Sequence, residues 1–363
     1  MARRLAVLFA AELLDPPVGG AERWALEVLE RLRARHDVRT TSLEASGNGR
    51  GYWQEKAARR EAVGTSVERL LAERRADVVV TQLHAAPAVV RAARNARAPT
   101  VLVIPSYESL CKLAFDAGSA CRPASRCRDC PAAVALATDE RRALEASRDE
   151  HQWSLRNADE LVVHSSHMAE VCERWCGRRP HVIPGSATHP PPVRADPEGP
   201  VVAVARWNVN KGVALLEPIA RRLDQGRLRV TERGAPAGVH TVPEAPLTTL
   251  LDGAAALIVP SQWPEPFGRV AFEGMAAGVP TLASATGGLR DIVPSQELVR
   301  DYAEPAAWVA AISTLRNETR WQAACQRGLS AARRLLAVDP AVRFEKALYA
   351  AADRRRATAL LRG

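Results

Sequence analysis

The sequence predicts a two-domain α/β protein with parallel sheets. Short apolar runs rich in Val and Leu alternate with segments of helical periodicity, which is the pattern of βαβ units. The apolar runs lack the polar and apolar alternation of a half-exposed sheet, as expected of parallel strands covered on both faces. The length of 363 residues suits two domains of ordinary size.

The first domain is predicted to span residues 1–190. It opens with the strand LAVLFAAEL (5–13), a Gly-rich loop and a helix over residues 21–35. The stretch 40–66 is rich in Gly and charge, and it predicts a loop or a poorly covered helix. Four further apolar runs predict strands: DVVVTQLH (77–84), APTVLVIP (98–105), ADELVVHS (158–165) and HVIPGS (181–186).

The run THPPPVRADPEGP (188–200) marks the domain boundary, because three consecutive prolines cannot continue a helix or a central strand. The second domain is predicted over residues 191–345, and residues 346–363 are expected to form a helix that packs back on the first domain. A helix should follow Lys211-Gly212. The predicted strands of this domain are VVAVARW (201–207), LRVTERG (228–234), AAALIVPS (254–261) and VPTLAS (279–284).

Composition excludes several functional classes. The net charge of +9 comes mainly from Arg, which we attribute largely to genome composition, and no run of five or six basic residues indicates nucleic-acid binding. No apolar stretch approaches the ~20 residues of a membrane span. The Arg-rich helices leave contact with a membrane surface open but do not support it. Seven cysteines, without an export signal, predict a cytoplasmic protein with reduced thiols.

The segment 256–293 combines a buried strand, a loop and a helix start. Glu265 lies in the loop, and Glu273 follows inside the helix with seven residues between them. In open α/β sheets, ligands bind at the carboxyl ends of the strands. A helix that begins near Gly268 would present its N–H groups and positive dipole end to an anion. The two carboxylates can accept hydrogen bonds from sugar hydroxyls.

Two cations are expected at the same sheet edge. Arg206 and Lys211 follow the first strand of the second domain, and together with the helix start they would cradle a diphosphate. The loop with Gly19 and Gly20 would approach that group from the first domain, because glycine permits close contact with the backbone.

In chain order, these motifs resemble family-4-type retaining glycosyltransferases with the GT-B fold. In that fold, two Rossmann-like domains with parallel sheets face each other across a cleft. The resemblance covers most of the chain, and Gly185-Ser186 stands where the family usually has Asn-Gly. The matching segments are GGAE (19–22), HSSHMAEVCERW to HVIPGS (164–186), ARWNVNKG (205–212) and PEPFGRVAFEGMAAGVP (264–280), which is similar to the Glu-x7-Glu signature.

The resemblance implies roles for these residues. Arg206 and Lys211 would neutralise the departing nucleoside diphosphate, and Glu273 would accept hydrogen bonds from the ribose. Glu265 would hold the donor sugar. The remaining donor-binding positions implied are Gly19, Gly20, Phe267, Gly268, Gly287 and Gly288.

Outside this resemblance, a helix cap and a solvated helix face would explain the two glutamates. No Asp-x-Asp triplet occurs in the chain, which predicts transfer without a metal cofactor.

The first domain departs from the family pattern at Pro105, which occupies the usual position of a histidine near the reacting sugar. Either His84 replaces that group or the enzyme is impaired. His84 is also explained as an ordinary hydrogen-bonded histidine at a strand end. Tyr107 and Glu108 are candidates for contacts with the acceptor.

Four cysteines fall within twenty residues and end in Cys-x2-Cys: Cys111, Cys121, Cys127 and Cys130. This spacing predicts a structural zinc site that fixes a long loop. An iron–sulfur cluster and reduced or disulfide-prone thiols are the alternatives.

The other cysteines and two tryptophans have separate interpretations. Cys172, Cys176 and Cys325 lie in helical contexts and are expected to be packing residues. Trp207 and Trp263 flank the proposed donor residues, and they are the two tryptophans expected to face a ligand.

The resulting functional hypothesis is a retaining glycosyltransferase that moves a sugar from a nucleoside-diphosphate donor, with UDP or GDP as its nucleotide, to an unknown acceptor. The acceptor is either a natural-product scaffold, as in antibiotic biosynthesis, or a polysaccharide or lipid-linked precursor. The alternatives are a catalytically silent subunit that binds a nucleotide sugar, and another GT-B enzyme such as a sugar epimerase.

Overall fold

The computed structural model divides the chain into two compact units, residues 1–187 with 338–363, and residues 188–337. The sequence placed the corresponding boundaries at 190 and 345. The first boundary lies at the start of the proline-rich run both in the prediction and in the structure. The structure describes residues 3–15, 19–43, 52–107, 110, 130–134, 136–186, 188, 190–205, 207–223 and 226–360.

The first unit contains a parallel sheet, formed within its described residues by six strands in the order β2-β1-β3-β4-β5-β6. The central strands are apolar and buried on both faces, as parallel strands are. The strands are β1 (Ala6–Ala10), β2 (Asp37–Thr41), β3 (Val78–Gln82), β4 (Thr100–Ile104), β5 (Glu160–Val163) and β6 (His181–Val182).

Helices cover both faces of this sheet. Successive side chains of β1 alternate between two cores: Phe9 packs with Trp24 on one face, and Leu8 packs with Val67 and Val89 on the other. The helices of this part of the chain are α1 (Gly20–Arg33), α2 (Tyr52–Glu73), α3 (Ala86–Asn95), α4 (Pro131–Val134), α5 (Thr138–Asn157) and α6 (Ser166–Cys176).

The winding direction of the first sheet reverses between β1 and β3. From β1 the chain continues to β2 on one side, and from β3 it continues to β4 on the other. The carboxyl ends of β1 and β3 therefore flank a topological switch point. Open α/β sheets bind their ligands at such a point.

The second unit repeats this plan, with described strands in the order β12-β11-β10-β7-β8-β9 and parallel pairing. Its switch point lies between β7 and β10. The strands are β7 (Val201–Ala203), β8 (Leu228–Thr231), β9 (His240–Val242), β10 (Ala256–Val259), β11 (Thr281–Ser284) and β12 (Leu298–Val299).

The helices of the second unit also pack on both faces. Ile258 points into the core that contains Trp308, while its neighbour Leu257 points into the core on the opposite face. These helices are α7 (Val213–Arg222), α8 (Leu247–Leu251), α9 (Arg269–Ala276), α10 (Leu289–Ile292), α11 (Pro305–Thr314) and α12 (Glu318–Leu335).

The last helix, α13 (Pro340–Leu360), returns to the first unit. Phe344 and Leu348 are buried in the same core as Trp24. The rings of Trp24 and Phe344 meet edge to face with 5.6 Å between centroids. The Trp24 indole donates a hydrogen bond of 2.9 Å to the Pro184 carbonyl. The helix therefore completes the hydrophobic core of the first unit.

The prediction of an α/β fold with two parallel sheets is confirmed. The sequence did not predict β2, β9 or β12. The strand β2 has the polar sequence DVRTT and lies at the sheet edge, where burial does not require an apolar run. In the stretch 40–66, the structure has the end of β2 and the first four turns of α2. Within the described residues, no helix is both long and apolar enough to span a membrane.

We expect Phe344→Ala to destabilise the protein by about 3–5 kcal/mol, because it removes a fully buried ring that packs against Trp24. Urea unfolding followed by far-UV circular dichroism measures this change. Lys346→Ala is the control on the same helix, since Lys346 is exposed. Equal unfolding midpoints for the two variants would contradict the packing role of α13.

Candidate functional site

The two loops that flank the switch point of the second unit carry the main predicted site residues. Lys211 ends a 3-10 turn (Val209–Lys211) after β7, and Glu265 lies in the loop after β10. Asn208 holds the turn, because its side-chain oxygen accepts a hydrogen bond of 3.1 Å from the Lys211 N–H. The sequence analysis assigned no role to Asn208.

Lys211 and Glu265 form an ion pair, with 2.6 Å between Nζ and Oε1. Ser261 donates a hydrogen bond of 2.5 Å to the same carboxylate oxygen. The Glu265 side chain is 8% exposed and that of Lys211 is 31% exposed, so the lysine remains accessible to a ligand. The Lys211 Nζ also lies 5.7 Å from the centroid of the Trp263 ring, within the range of a cation–π interaction.

Ser261 is a site residue that the sequence analysis missed. It lies two residues after the end of β10 and is buried, and its hydrogen bond helps to hold the Glu265 carboxylate in place. The signal was available, since Ser261 lies at the carboxyl end of a central strand, four residues before the predicted glutamate.

Gly212 allows the two loops to approach. It ends the Lys211 turn with φ +77°, and a Cβ at this position would lie 2.1 Å from the carbonyl oxygen of Pro260. A side chain at residue 212 would therefore collide with the backbone that leads to Ser261. The position of Lys211 depends on this close contact.

Gly287 and Gly288 serve a similar purpose on the other side of the Glu265 loop. A Cβ at Gly287 would lie 2.5 Å from the Glu265 nitrogen, and a Cβ at Gly288 would lie 2.6 Å from the Pro266 oxygen. Gly288 donates its N–H to the Glu265 carbonyl at 2.6 Å. In this structure, the two glycines support the loop that presents Glu265.

The helix α9 begins directly after Gly268, which is its N-cap residue and has no side chain to occupy the first-turn N–H groups. One turn inside, Glu273 pairs with Arg269, with 2.6 Å between Nε and Oε1. Both side chains are 17% exposed. The sequence analysis missed Arg269 as the partner of Glu273, although their spacing of four residues suits a helical ion pair.

The aromatic residues around the site are buried. Phe267 packs in the core of the second unit, with its ring 6.0 Å from that of Phe272. The expectation that Trp207 faces a ligand is corrected: it belongs to a hydrophobic core, and its indole donates to the Thr231 carbonyl at 3.0 Å. Trp263 is 4% exposed and lies against Lys211.

Several predicted residues lie outside the described part of the chain. They are Arg206, Glu108, Cys111, Cys121 and Cys127. Of the predicted metal ligands, Cys130 alone is described, as a half-buried free thiol. Among the described residues, no group of three or more His, Cys, Asp or Glu side chains is placed to hold a metal ion. The zinc site therefore stays a prediction.

The cysteines of α6 and α12 are in protected surroundings. Burial raises the pKa of the Cys172 thiol far above its usual range, with a further contribution from Cys176. Burial also raises the pKa of Cys176 and raises the pKa of Cys325 to about 11. Because the thiolate is the reactive form, these groups are poor nucleophiles at neutral pH.

The predicted residues of the first unit lie near the carboxyl ends of its strands. Gly19 donates its N–H to the Glu22 carboxylate at 2.8 Å, and Gly20 is the exposed first residue of α1. This helix cap already uses the Gly19 N–H. His84 lies in a 3-10 turn after β3, with its ring 6.2 Å from that of His151 in an edge-to-face arrangement.

Tyr107 follows β4 and is 2% exposed. Its hydroxyl lies 2.6 Å from Nε2 of His167, in the first turn of α6. The hydrogen bond fixes the ring of Tyr107 beside a histidine that the sequence analysis did not consider. His167 follows the N-cap Ser165 at the end of β5, another strand-end position.

Part of the second unit matches a known family. Residues 221–327 match the family model described as Glycosyl transferases group 1. This segment includes Glu265, Glu273, Gly287 and Gly288, whereas Lys211 precedes it. The chain also resembles the D-inositol 3-phosphate glycosyltransferase of Thermomonospora curvata, with 35% identity over 136 residues. That alignment covers 35% of this chain and 30% of the relative.

Solved structures resemble the whole chain. Sucrose-phosphate synthase from Thermosynechococcus elongatus superposes with a TM-score of 0.70 at 19% identity, covering 95% of this chain and 98% of the other. Anabaena HepE in complex with UDP-glucose gives 0.65 at 16% identity, with coverage of 94% and 98%. Starch synthase IV from Arabidopsis thaliana gives 0.64 at 12% identity, with coverage of 97% and 100%. The chain therefore has the GT-B fold.

We expect Gly212→Ala to destabilise the protein by more than 2 kcal/mol and to displace Lys211 from Glu265. The left-handed backbone costs an alanine about 1–2 kcal/mol, and the collision with Pro260 adds to it. Chemical denaturation measures the loss.

Gly226→Ala is the matched control for Gly212→Ala. Gly226 has the same φ of +77°, but an added Cβ there meets none of the described atoms within 4 Å. The stability lost in Gly226→Ala should reflect backbone strain alone. If both variants lost the same stability, the close contact at Pro260 would be unimportant.

Proposed function

We propose that this chain, which carries a Glycosyl transferases group 1 domain on a GT-B fold, is a retaining glycosyltransferase that uses a nucleoside-diphosphate sugar. The observation that carries the proposal is the meeting of Lys211 and Glu265 at the switch point of the second unit. A cation and a carboxylate at this place suit a ligand with a diphosphate and a sugar.

Charge explains how these residues would act. Transfer builds negative charge on the departing diphosphate, while positive charge develops at the sugar carbon. Lys211 would stabilise the diphosphate, together with the N–H groups and the positive dipole end at the start of α9. Arg206 is proposed to contribute a second cation. No metal cofactor is required in this scheme, because fixed cations and dipoles oppose the developing charge.

The carboxylates would hold the two ends of the donor. Glu265 would accept hydrogen bonds from the sugar and Glu273 from the ribose, since ionised carboxylates are acceptors only. In the structure, Glu265 pairs with Lys211 and Glu273 pairs with Arg269. Donor binding would therefore exchange these ion pairs for contacts with the diphosphate and the hydroxyls.

The comparisons favour a nucleotide sugar without fixing its identity. Anabaena HepE was solved with UDP-glucose, and starch synthase IV was solved with ADP. UDP and GDP are the nucleotides proposed for this chain. A cytoplasmic location is part of the same proposal, and the seven cysteines support it.

Two classes of acceptor remain in the proposal, a natural-product scaffold and a polysaccharide or lipid-linked precursor. The name of the Thermomonospora curvata relative supports a hydroxylated acceptor. The silent-subunit alternative rests on Pro105 in place of the usual histidine. A protein that binds a nucleotide sugar but neither transfers nor hydrolyses it would favour that alternative.

We expect Lys211→Ala and Glu273→Ala each to weaken donor binding at least tenfold, since they remove a diphosphate contact and a ribose contact. The wild-type donor is found first, by thermal shift with UDP-, GDP- and dTDP-sugars, because a ligand that binds the folded state raises its melting temperature. Titration of that donor then gives the affinity of each variant.

Lys346→Ala and Glu244→Ala are the controls, because they remove the same charges from exposed positions. The readout is the shift induced by the donor rather than the basal melting temperature, since Glu273→Ala also breaks the pair with Arg269. Unchanged donor affinity in both site variants would contradict the assignment of the site.

We expect Glu265→Gln to bind the free nucleoside diphosphate about three to ten times more tightly while it transfers the sugar more slowly. The substitution removes the negative charge that pairs with Lys211, so the lysine is freed for the diphosphate. Isothermal titration with UDP or GDP measures the affinity.

Glu244→Gln makes the same change in net charge at an exposed position of the second unit, and it should leave this affinity unchanged. Weaker binding of the nucleoside diphosphate by Glu265→Gln would show that the Lys211–Glu265 pair does not compete with the ligand.

A further inference from the structure

Gln82 is the last residue of β3, at the switch point of the first sheet. Its strand pairs with β1 on one side and with β4 on the other, and Gln82 lies opposite Val103. The equivalent strand of the second unit is β10, whose loop carries Ser261 and Glu265. Gln82 therefore lies at the end of the strand that corresponds, in the second unit, to the strand before Ser261 and Glu265.

The side-chain amide of Gln82 is buried without hydrogen bonds to the described residues. The residue is 1% exposed, and neither Nε2 nor Oε1 has a hydrogen-bond partner among the residues that the structure describes. Most buried polar groups are paired, and each exception requires an explanation. Leaving both ends of an amide unpaired costs free energy. A ligand that pairs with both ends is one explanation for such a group.

The face on which Gln82 lies is defined by the residues before it. Val80 packs in the core with Phe9 and Trp24, whereas Val79 packs in the core on the opposite face. By alternation along the strand, Gln82 lies on the face of Val80 and Thr81 on the face of Val79. The amide thus ends a column of apolar residues on the face covered by α1.

The backbone next to Gln82 is strained. Leu83 has φ +53°, which is unusual for a residue with a branched side chain. Such conformations cluster at binding and catalytic sites, where the surrounding fold holds them in place. His84 follows in the same turn. The unpaired amide of Gln82 therefore lies next to a strained residue, at the sheet edge where this fold predicts a ligand.

We propose that the Gln82 amide is the hydrogen-bonding anchor of the acceptor site and selects acceptors with adjacent ring hydroxyls, as in sugars and cyclitols, over apolar aglycones. This inference rests on the proposed glycosyltransferase function. A primary amide offers N–H donors and a carbonyl acceptor side by side, which suits a pair of neighbouring hydroxyls. The group is neutral, so it recognises hydroxyls rather than charge.

Burial makes this recognition selective. Because Gln82 is 1% exposed, bulk water competes little for the amide, so a hydroxylated ligand would gain both hydrogen bonds. An apolar ring would leave the amide atoms without partners, and sites built to bond a hydroxyl strongly reject analogues that lack it.

The test measures release of the nucleoside diphosphate from the donor found by thermal shift. Glucose, mannose and myo-inositol, each with its monophosphate, serve as hydroxylated probes, and 4-nitrophenol and 1-naphthol serve as apolar probes. We expect at least one hydroxylated probe to accelerate release more than either apolar probe. In Gln82→Leu, kcat/KM for that probe should fall at least tenfold, mainly through a higher KM.

Donor binding and donor hydrolysis without a probe should stay unchanged in Gln82→Leu, because Gln82 is proposed to contact the acceptor, and the Lys211–Glu265 pair lies in the second unit. Its melting temperature should equal or exceed that of the wild type, since an apolar side chain replaces an uncompensated amide. Gln82→Met is a second variant with a more flexible side chain, in case the leucine does not fold.

Thr81→Val is the matched control. Thr81 is the preceding residue, fully buried, and its hydroxyl also lacks a partner among the described groups, but it lies on the opposite face. Its removal should leave the KM of every probe unchanged.

Three outcomes would overturn the role of Gln82. They are acceleration by the apolar probes alone, no acceleration by any hydroxylated probe, and an unchanged KM in both Gln82 variants. Lower stability together with an unchanged KM would identify a structural amide. Failure of every nucleotide sugar to bind would instead defeat the proposed function, and this result is visible before any acceptor probe is added.

Discussion

The ion pair between Lys211 and Glu265 is the contact on which the proposed site depends. It joins two loops that are 54 residues apart in sequence, and it exists because β7 and β10 are neighbours at the switch point of their sheet. Ser261 fixes the carboxylate, and Gly212 brings the backbones together. The fold therefore brings the two loops together, and the individual side chains then fix the geometry of the site.

The sequence predicted the parts of the fold that hydrophobic burial determines. Strands such as β3 and β4 are continuous apolar runs, whereas β2 is polar and held at the sheet edge by backbone hydrogen bonds, which leave no periodic signal. The approach of Lys211 and Glu265 to one sheet edge was predictable, because parallel strands end together. Their direct pairing was not, since it depends on the geometry of two loops. Trp207 was misread because a tryptophan in a hydrophobic core and one in a binding site have the same sequence signal.

The two units use the same architecture with different chemistry at the switch point. In the second unit, a lysine and a carboxylate form an ion pair, and in our proposal an anionic ligand competes for the lysine. In the first unit, Gln82 provides a neutral amide in apolar surroundings. In the proposed reaction, the charged pair of the second unit would serve the charged donor, and the neutral amide of the first unit would serve the uncharged hydroxyl of the acceptor. The amide cannot be recognised from sequence, because its significance lies in the lack of partners within the described structure.

The return of α13 to the first unit has a consequence for biosynthesis. Residues 188–337 form a contiguous unit that can collapse as soon as they have left the ribosome. The first unit, although translated earlier, lacks Phe344 and Leu348 until residues 340–360 emerge. The part of its apolar core that α13 covers is therefore open during synthesis of the second unit, so nascent chains arrested before residue 340 should depend on chaperones for solubility.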